Sequence, residues 1–188
     1  IDLENKKKIE NVFKKNKIKI VVHLAAQAGV RDSLKMPNSY YKSNFIGFVN
    51  IINISEANKV KKFIYASSSS VYGDKKKFPL KENIDISPKN IYSATKKINE
   101  DIANDMSKIS NMKMIGLRFF TVYGPFGRPD MFIFKFLNLI FNNKKFYLYN
   151  RGNHLRDYTH IDDVVNIIVN LIKKRIAKKF QIFNICSN

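Results

Sequence analysis

Four short runs of apolar, β-branched and aromatic residues recur along the chain. They lie at residues 18–24, 62–66, 112–120 and 180–186 (IKIVVHL, KFIYA, MKMIGLRFF and FQIFNIC), and segments in which apolar residues have helical spacing separate them. Nearly continuous apolar runs of this length are typical of strands buried on both faces of a parallel sheet. The alternation of such strands with helices predicts an α/β fold with a mostly parallel sheet.

The separating segments predict amphipathic helices at residues 4–16, 38–58, 90–110 and 132–141, and a further helix that Asp162 caps. Asn90 is the predicted cap of the helix at 90–110. The apolar stripe that we expect this helix to bury consists of Ile91, Ile98, Ile102, Met106 and Ile109. A short strand is expected at 146–150, and Gly and Pro predict loops at 74–90 and 121–130.

The composition is that of a soluble globular protein, with 45% apolar and 26% charged residues among 188. No apolar run approaches the roughly 20 residues of a membrane span, and no signal peptide is recognisable at the start. The single cysteine, Cys186, excludes an internal disulfide and is expected to serve packing. We therefore expect a cytoplasmic protein that does not bind membranes.

The formal net charge of +19 raises the question of nucleic-acid binding. The lysines, however, occur in short scattered runs, and no recognition-helix, zinc-finger or RNA-binding signature accompanies them. We interpret the charge as solvated surface that can aid encounter with an anionic substrate, and expect no nucleic-acid partner.

Tyr92-Ser93-Ala94-Thr95-Lys96 opens the helix at 90–110. Tyr92 and Lys96 lie on one face of that helix because side chains at i and i+4 project the same way. A nearby ammonium favours the ionised phenol and lowers its pKa from about 10, which makes Tyr92 a candidate general base. A serine of the run 67–70 could hand it a proton from the end of a neighbouring strand. Such a run can also be a linker, but the strand before it and Val-Tyr-Gly after it favour a loop at the carboxyl edge of the sheet.

Two other features have both a functional and a structural interpretation. The small residues at 25–29 either let a flat ligand approach the backbone or serve tight helix–sheet packing. Asn44 lies on or near the inward face of the helix at 38–58, where a polar amide needs a partner, and a satisfied core amide is the simpler interpretation.

His23, His154 and His160 are far apart, so no metal site is predicted, and His23 is expected to be a packed or hydrogen-bonded core histidine.

Six motifs occur in the order HLAAQAGVR, SNFIG, YASSSSVYG, YSATK, LRFFTVYGPFGRPDM and RDYTHIDD. In this order they resemble the extended short-chain dehydrogenase/reductase superfamily with its NAD-dependent epimerases and dehydratases, and most of all the UDP-glucuronate 4-epimerases. The resemblance covers almost the whole chain. It implies a Rossmann-like, doubly wound, mostly parallel sheet that forms part of an NAD-binding domain at residues 1–125. It further implies the start of a smaller sugar-nucleotide-binding region at 126–188, with a strand near 180–186 that returns to the main sheet.

The Gly-rich phosphate-binding turn with which this family opens is not found in the sequence. Asp2-Leu3 matches the family's Asp-hydrophobic pair beside the adenine, and a carboxyl-terminal part of the sugar-nucleotide pocket has no counterpart. We therefore expect the sequence to be an internal fragment or a truncated product that lacks the first strands and binds NAD poorly by itself.

The resemblance implies that Tyr92 is the catalytic base, that Lys96 modulates its pKa and binds a ribose, and that Ser68 hydrogen-bonds the substrate and relays the proton. The residues that it places along NAD are Asp2, Leu3, Leu24, Ala25, Ala26, Asn44, Tyr92, Lys96 and Phe119.

Substrate contacts are implied for Ser69, Ser70, Thr121, Arg128 and Arg156. Dehydratases of the family have Asp-Glu where Ser69 and Ser70 stand, which favours epimerisation here. Thr121 and Arg128 match positions that contact the sugar and its carboxylate in the glucuronate enzymes, and a guanidinium is a natural bidentate partner of a carboxylate. Arg156 would meet the diphosphate. For either arginine a surface salt bridge is the alternative.

The activity implied is that of an isomerase that converts UDP-glucuronate to UDP-galacturonate through a transient 4-keto sugar. The cofactor would be NAD, and the protein a homodimer that forms through the helices at 38–58 and 90–110. Alternatives are a UDP-glucose 4-epimerase, another nucleotide-sugar epimerase or dehydratase, or an inactive remnant. A basic nucleic-acid-binding module and a regulatory protein on the same fold are the alternatives from other classes, and the presence of Ser68, Tyr92 and Lys96 counts against the second.

Overall fold

The computed structural model describes residues 1–153 and 155–187, so the predictions that concern His154 lie outside the described residues. Four strands form one sheet in the order β1-β2-β3-β6, and every neighbouring pair is parallel. The bounds of these strands are β1 (Ile20–His23), β2 (Lys62–Ser68), β3 (Lys113–Phe119) and β6 (Phe180–Ile185). The predicted α/β class with a parallel sheet is confirmed.

Helices alternate with the strands. They are α1 (Lys6–Lys15), α2 (Val30–Lys35), α3 (Pro37–Tyr40), α4 (Gly47–Ala57), α5 (Ile91–Ile109), α6 (Phe132–Phe141) and α7 (Ile161–Lys173). A π-helical segment, Tyr41–Ile46, joins α3 to α4, and 3₁₀ turns form at Ser69–Tyr72 and Tyr149–Gly152. A second, two-stranded parallel sheet pairs β4 (Thr121–Tyr123) with β5 (Tyr158–His160).

A reciprocal hydrogen-bond pair fixes the start of α5. Asn90 Oδ1 accepts the Ser93 N–H at 2.9 Å, and Ser93 Oγ accepts the Asn90 N–H at 3.2 Å. This capping box satisfies two backbone donors that the first helical turn leaves without intrahelical partners. The predicted cap at Asn90 is confirmed, and it holds the turn that carries Tyr92.

Apolar clusters cover both faces of the main sheet. Phe63 and Tyr65 of β2 belong to a cluster with residues of α1 and α4, whereas Ile64 between them packs in a cluster with residues of α7. Successive side chains of a strand point to opposite faces, so helices lie on both sides of the sheet. This is the doubly wound arrangement that the resemblance implies.

His23, the last residue of β1, lies within the first of these clusters. It is buried, and its ring centroid lies 5.6 Å from that of Phe48 and 6.1 Å from that of Phe63. Burial, with a smaller effect of the Lys96 charge, lowers the pKa of His23 to about 4. The predicted packed core histidine is confirmed.

Three local predictions are wrong. Residues 121–123 are not part of a loop, because they find a strand partner in β5. Residues 146–150 form no strand, and a 3₁₀ turn begins at Tyr149 instead. Asp162 does not cap α7: the helix begins at Ile161, and His160 Nδ1 accepts the Asp162 N–H at 3.3 Å.

The apolar stripe predicted for α5 is wrong in part. Ile102 and Met106 pack against the first cluster, but Ile98 is 41% and Ile109 84% exposed. The buried residues of α5, which we call its polar face, are Ser93, Thr95, Lys96, Asn99, Glu100, Ala103 and Ser107. The patterning argument missed this face because polar residues are assigned to solvent unless buried partners for them are known.

Within residues 1–153 and 155–187, no helix is long and apolar enough to cross a membrane. The same residues contain no group of three His, Cys, Asp or Glu side chains placed to hold a metal ion.

Candidate active site

The carboxyl end of β2 meets the first two turns of α5. Ser68 is the last residue of β2, and it lies close enough to the Tyr92 phenol to lower the pKa of that phenol. Lys96 Nζ lies 5.9 Å from the centroid of the Tyr92 ring. The structure therefore brings together the three residues for which catalytic roles are predicted.

A neighbouring serine orients the Ser68 hydroxyl. Ser68 Oγ accepts one hydrogen bond from Ser70 N at 3.2 Å and another from Ser70 Oγ at 2.9 Å. A hydroxyl has two acceptor positions and one proton to donate. These two contacts anchor the Ser68 hydroxyl to the turn that follows β2. Ser70, a predicted substrate contact, is thus bonded to Ser68, while Ser69 is partly exposed beside it.

The pKa of the Tyr92 phenol is raised, because burial outweighs the hydrogen bond from Ser68 and the charge of Arg128, which both lower it. The pKa of Tyr92 is thus raised and not lowered as expected, and the role of Lys96 as its modulator stays a prediction. Lys96 Nζ donates to Ala66 O at 2.8 Å, and desolvation lowers the pKa of Lys96 to about 8. Arg128, which is distant in sequence, provides a charge that lowers the pKa of Tyr92.

Asn44 holds the segment that follows β1. Its Oδ1 accepts the Gln27 N–H at 2.7 Å, and its Nδ2 donates to Gln27 O at 2.9 Å and to Thr95 Oγ1 at 3.3 Å. The predicted need of this amide for a partner is confirmed. Asn44 lies in the π-helical segment, and such segments often occur at functional sites. One side chain thus joins the end of β1 to the first turns of α5.

Tyr40 fixes the same segment further along. Its hydroxyl donates to Gly29 O at 2.8 Å, and its ring packs edge-on against Tyr92 with 6.3 Å between centroids. Gly29 has φ of +115°, a conformation that glycine adopts readily. Leu24 and Ala25 remain exposed, so residues 24–29 form a small-residue surface beside Tyr92.

Arg128 lies at this surface too. Its Nη2 is 3.2 Å from the position that a Cβ on Gly29 would occupy. Its Nε donates to Asp130 Oδ1 at 2.8 Å, and its Nη2 contacts Asp130 Oδ2. The salt bridge weighed as an alternative for Arg128 is therefore present, but it stands beside the candidate site.

The other predicted contacts are less closely connected with Tyr92. Phe119 is the register partner of Ser68, and Thr121 begins β4 just beyond it. Arg156 is exposed and donates to Leu155 O at 3.3 Å. The contacts described for Arg156 do not join it to Ser68 or Tyr92.

Asp2 and Leu3 lie along the helix that carries Asn44. Asn50 Nδ2 donates to Leu3 O at 2.9 Å, and a Cβ on Gly47 would stand 2.8 Å from Leu3 Cβ. Gly47 and Asn50 follow Asn44 within two helical turns, so these contacts bring Asp2-Leu3 to the same helix as Asn44. Asp2 itself is exposed.

The model of the NAD dependent epimerase/dehydratase family matches residues 1–186. The chain belongs to this family. Protein CapI of Staphylococcus aureus is 48% identical to it over 176 residues, which are 93% of this chain and 52% of CapI. UDP-glucuronate 4-epimerase 1 of Arabidopsis thaliana is 41% identical over 200 residues, which are 98% of this chain and 47% of that protein. The chain spans about half the length of the curated relatives that it matches.

Among solved structures, the UDP-glucuronic acid 4-epimerase from Bacillus cereus in complex with UDP-glucuronic acid and NAD has a TM-score of 0.90 to this chain at 30% identity. The similarity covers 100% of this chain and 59% of that one. The Rossmann-like fold of this epimerase-family chain is thereby confirmed.

Sequence reasoning missed one part of the site in this family member. Glu100, on the polar face of α5 one helical turn after Lys96, and Arg118 of β3 form a buried bidentate ion pair. The signal was the spacing of Ser93, Lys96, Glu100, Ala103 and Ser107, which repeats every three or four residues as a buried helix face does.

Proposed function

We propose that the protein to which this chain belongs is an NAD-dependent isomerase that inverts C4 of a UDP-sugar, and that it converts UDP-glucuronate to UDP-galacturonate. The observation that carries the proposal is the meeting of Ser68, Tyr92 and Lys96 at the carboxyl end of β2. The similarity to UDP-glucuronate 4-epimerases supports the choice of substrate. In this proposal residues 1–125 belong to the NAD-binding domain, and residues 126–188 begin the sugar-nucleotide region.

Tyr92 would act as the base for the C4 hydroxyl, and Ser68 as the group that relays the proton. Ser68 and the charge of Arg128 both lower the pKa of Tyr92 and so favour the ionised phenol. Burial of the phenol opposes its ionisation, so positive charge close to Tyr92 is needed to make the phenolate available as a base. Because Ser70 anchors the Ser68 hydroxyl, the group that relays the proton between the sugar and Tyr92 is already in place before the reaction.

Lys96 provides the test of whether the residues fit NAD. Lys96 is 3% exposed, and of the three donor positions of its ammonium the described residues fill one, with Ala66 O. Buried donors without acceptors are unfavourable, and the hydroxyls of a ribose are suitable acceptors. NAD held there would supply the reversible oxidation at C4 that inversion requires.

Other residues would bind the rest of the cofactor. Leu24, Ala25 and Ala26 would lie beneath it, and Phe119 beside the nicotinamide. Asn44 would act by holding Gln27 in place, which its two hydrogen bonds to that backbone support. Asp2 and Leu3 would lie at the adenine.

For the substrate, Arg128 would bind the C6 carboxylate and Thr121 the sugar, while Ser69, Ser70 and Arg156 would contact the sugar and the diphosphate. Asp130 accepts from Nε and from one N–H of Nη2 of Arg128, so the other N–H of Nη2 and both of Nη1 are left for a second carboxylate. The same pairing favours a second candidate, because an Arg128 charge already matched by Asp130 is compatible with a neutral hexose such as that of UDP-glucose.

A homodimer through the helices at 38–58 and 90–110 is part of the proposal. Large apolar side chains exposed on these helices support it, namely Tyr41, Phe45, Ile46, Ile98 and Ile109. Light scattering of the full-length protein should give twice the subunit mass. A monomer would contradict this part and leave the proposed reaction untouched.

The deciding experiment offers UDP-glucuronate and UDP-glucose separately to the protein expressed at the full length of its reading frame. We expect UDP-galacturonate from the first, resolved by chromatography, and its loss in Arg128→Ala. Tyr92→Phe should reduce turnover by about 10²- to 10⁴-fold without lowering the melting temperature. Turnover of UDP-glucose alone would favour the second candidate, and wild-type turnover in Tyr92→Phe would contradict the assigned base.

A further inference from the structure

A buried ion pair lies behind the candidate site. Arg118 Nη2 and Nε donate to Glu100 Oε2 and Oε1 at 2.8 and 2.9 Å, and each residue is 3% exposed. A buried ion pair often contributes no more stability than apolar residues of the same volume would, because both charges lose their hydration. A contribution to stability is therefore a weak explanation for this ion pair, and its position close to the candidate site suggests a different role.

Most of the remaining hydrogen-bonding positions of the pair are occupied as well. Ser67 Oγ donates to Glu100 Oε1 at 2.5 Å. Arg118 Nη1 donates to Tyr72 OH at 2.8 Å and to Glu82 O at 3.2 Å. Four of the five N–H groups of Arg118 thus have acceptors, and a buried network of this kind rigidifies the groups that it joins.

Glu100 joins three elements through one oxygen. Ser67 and Arg118 are register partners on β2 and β3, and both donate to Glu100 Oε1. Glu100 therefore holds α5 above the point where the two strands approach their carboxyl ends. The residue that follows Ser67 is Ser68.

Three successive turns of α5 contact three successive residues of β2. Tyr92 meets Ser68, Lys96 Nζ meets Ala66 O, and Glu100 meets Ser67. Neither Glu100 nor Ser67 has a proposed chemical role, yet their contact lies next to both the Tyr92–Ser68 and the Lys96–Ala66 contacts. It therefore restrains how α5 lies against the end of β2, next to the point where Ser68 faces Tyr92.

We propose that Glu100, through Ser67, is a positioning residue that sets the Ser68 hydroxyl against the Tyr92 phenol. The structural part of this inference stands without the proposed function, whereas its kinetic consequence rests on it. The contact to cut is Ser67–Glu100, because Ser67→Ala leaves the Glu100–Arg118 pair intact and removes no charge.

The experiment uses the full-length protein labelled with [13Cζ]tyrosine, with the Tyr92 resonance assigned through Tyr92→Phe. Ser68→Ala marks the chemical shift of Tyr92 when its serine partner is absent. We expect Ser67→Ala to move the Tyr92 resonance toward that position. The control is Ser107→Ala. Ser107 is a buried serine of α5, the helix that carries Tyr92, and its hydroxyl donates to Asn104 O at 2.6 Å, so this variant should leave the Tyr92 resonance unchanged.

Two further comparisons keep the test decisive. Ser67→Cys fills the same volume with a weak donor and should act like Ser67→Ala. A wild-type resonance in either variant would overturn the proposal, and so would an equal movement in Ser107→Ala, since that would mean general loosening of α5.

We also expect Ser67→Ala to lower kcat about 10-fold with KM unchanged. The variant would misplace the Ser68 hydroxyl relative to Tyr92 in the reacting complex but would leave the substrate contacts in place. If wild-type protein turns over no UDP-sugar, the proposed function fails, and the Tyr92 resonance still decides whether Ser67 and Glu100 position Ser68. An unchanged kcat in an active Ser67→Ala enzyme would overturn the positioning role.

Discussion

Two buried lysines lie at opposite ends of β2 and differ in how their ammonium groups are bound. Lys62, at the amino end, donates to Leu171 O, Ile172 O and Lys174 O at 2.6, 2.7 and 2.9 Å. Lys96, at the carboxyl end, donates to Ala66 O alone among the described residues. Burial lowers the pKa of both.

The difference separates a structural from a functional lysine. Three carbonyl acceptors match the three donors of Lys62 and occupy carbonyls that the end of α7 leaves without intrahelical partners. Lys96 keeps donor capacity in a desolvated position, which a protein without a ligand there would have little reason to retain. The comparison teaches that burial and a lowered pKa do not by themselves mark a functional lysine, whereas unfilled donors next to a candidate base do.

The largest expected effect is on activity. Lys96→Met should lower kcat of the full-length enzyme by about 10²- to 10⁴-fold, because it removes the proposed ribose ligand next to the candidate base. Lys62→Met should leave kcat within about twofold in the fraction that folds. Steady-state assays on UDP-glucuronate check both, and equal losses in the two variants would break the comparison.

The next effect concerns stability and pH. The pKa of Lys96 is about 8 in the folded protein and 10.5 for an ordinary lysine. Between these values the unfolded state binds more protons, so the contribution of Lys96 to the free energy of unfolding rises with pH, by about 3 kcal/mol at most. Urea unfolding at several pH values from 7.5 to 10.5 should show this rise, and Lys96→Met should reduce it. A rise of the same size in the variant would show that Lys96 is not its source.

A smaller effect is expected at the other lysine. Lys62→Met should lower the free energy of unfolding by about 2 kcal/mol, because three carbonyl groups at the end of α7 lose a charged donor. Chemical denaturation measures the change, and hydrogen exchange should show faster opening of α7 than of α5. If α7 opened no faster, Lys62 would not be the residue that holds its end.

The smallest effect serves as the reference. Lys97 also lies on α5 and contacts Asp101 Oδ2 at 2.5 Å, with its side chain 34% and that of Asp101 58% exposed. Exposed pairs of this kind contribute about 0.3–0.5 kcal/mol. Lys97→Met should therefore change the free energy of unfolding by less than about 0.5 kcal/mol and leave kcat unchanged. A larger loss would mean that mutating any lysine of α5 disturbs the helix.

Much of the site was predictable because its parts are local in sequence. Tyr92 and Lys96 share one face through helical spacing, and Asn90 caps the turn before them. The strand that its apolar composition predicts at 62–66 is also present, but it runs two residues further than expected, to Ser68. The polar face of α5 was not predictable in the same way, since the partners that make burial of Glu100 acceptable are Ser67 and Arg118, far away in sequence.

Electrostatic predictions failed for a related reason. The sequence spacing of Tyr92 and Lys96 suggests that the lysine lowers the pKa of the phenol. In the structure burial of the phenol outweighs the lowering effects, and the charge that reaches it comes from Arg128. Desolvation depends on everything that surrounds a group, so spacing along one helix cannot predict its size.

The sequence by itself determined the α/β class, the four strands of the main parallel sheet and the common face of Tyr92 and Lys96. These follow from periodicity, caps and strand composition, which act over a few residues, whereas the doubly wound arrangement and the role of Ser68 were implied by the family resemblance. Only the tertiary structure decided which buried lysine keeps free donors, which cation acts on Tyr92, and that Glu100 joins α5 to two strands. Those outcomes depend on acceptors and charges that come from distant segments: the carbonyls that bind Lys62 Nζ lie more than a hundred residues further along the chain.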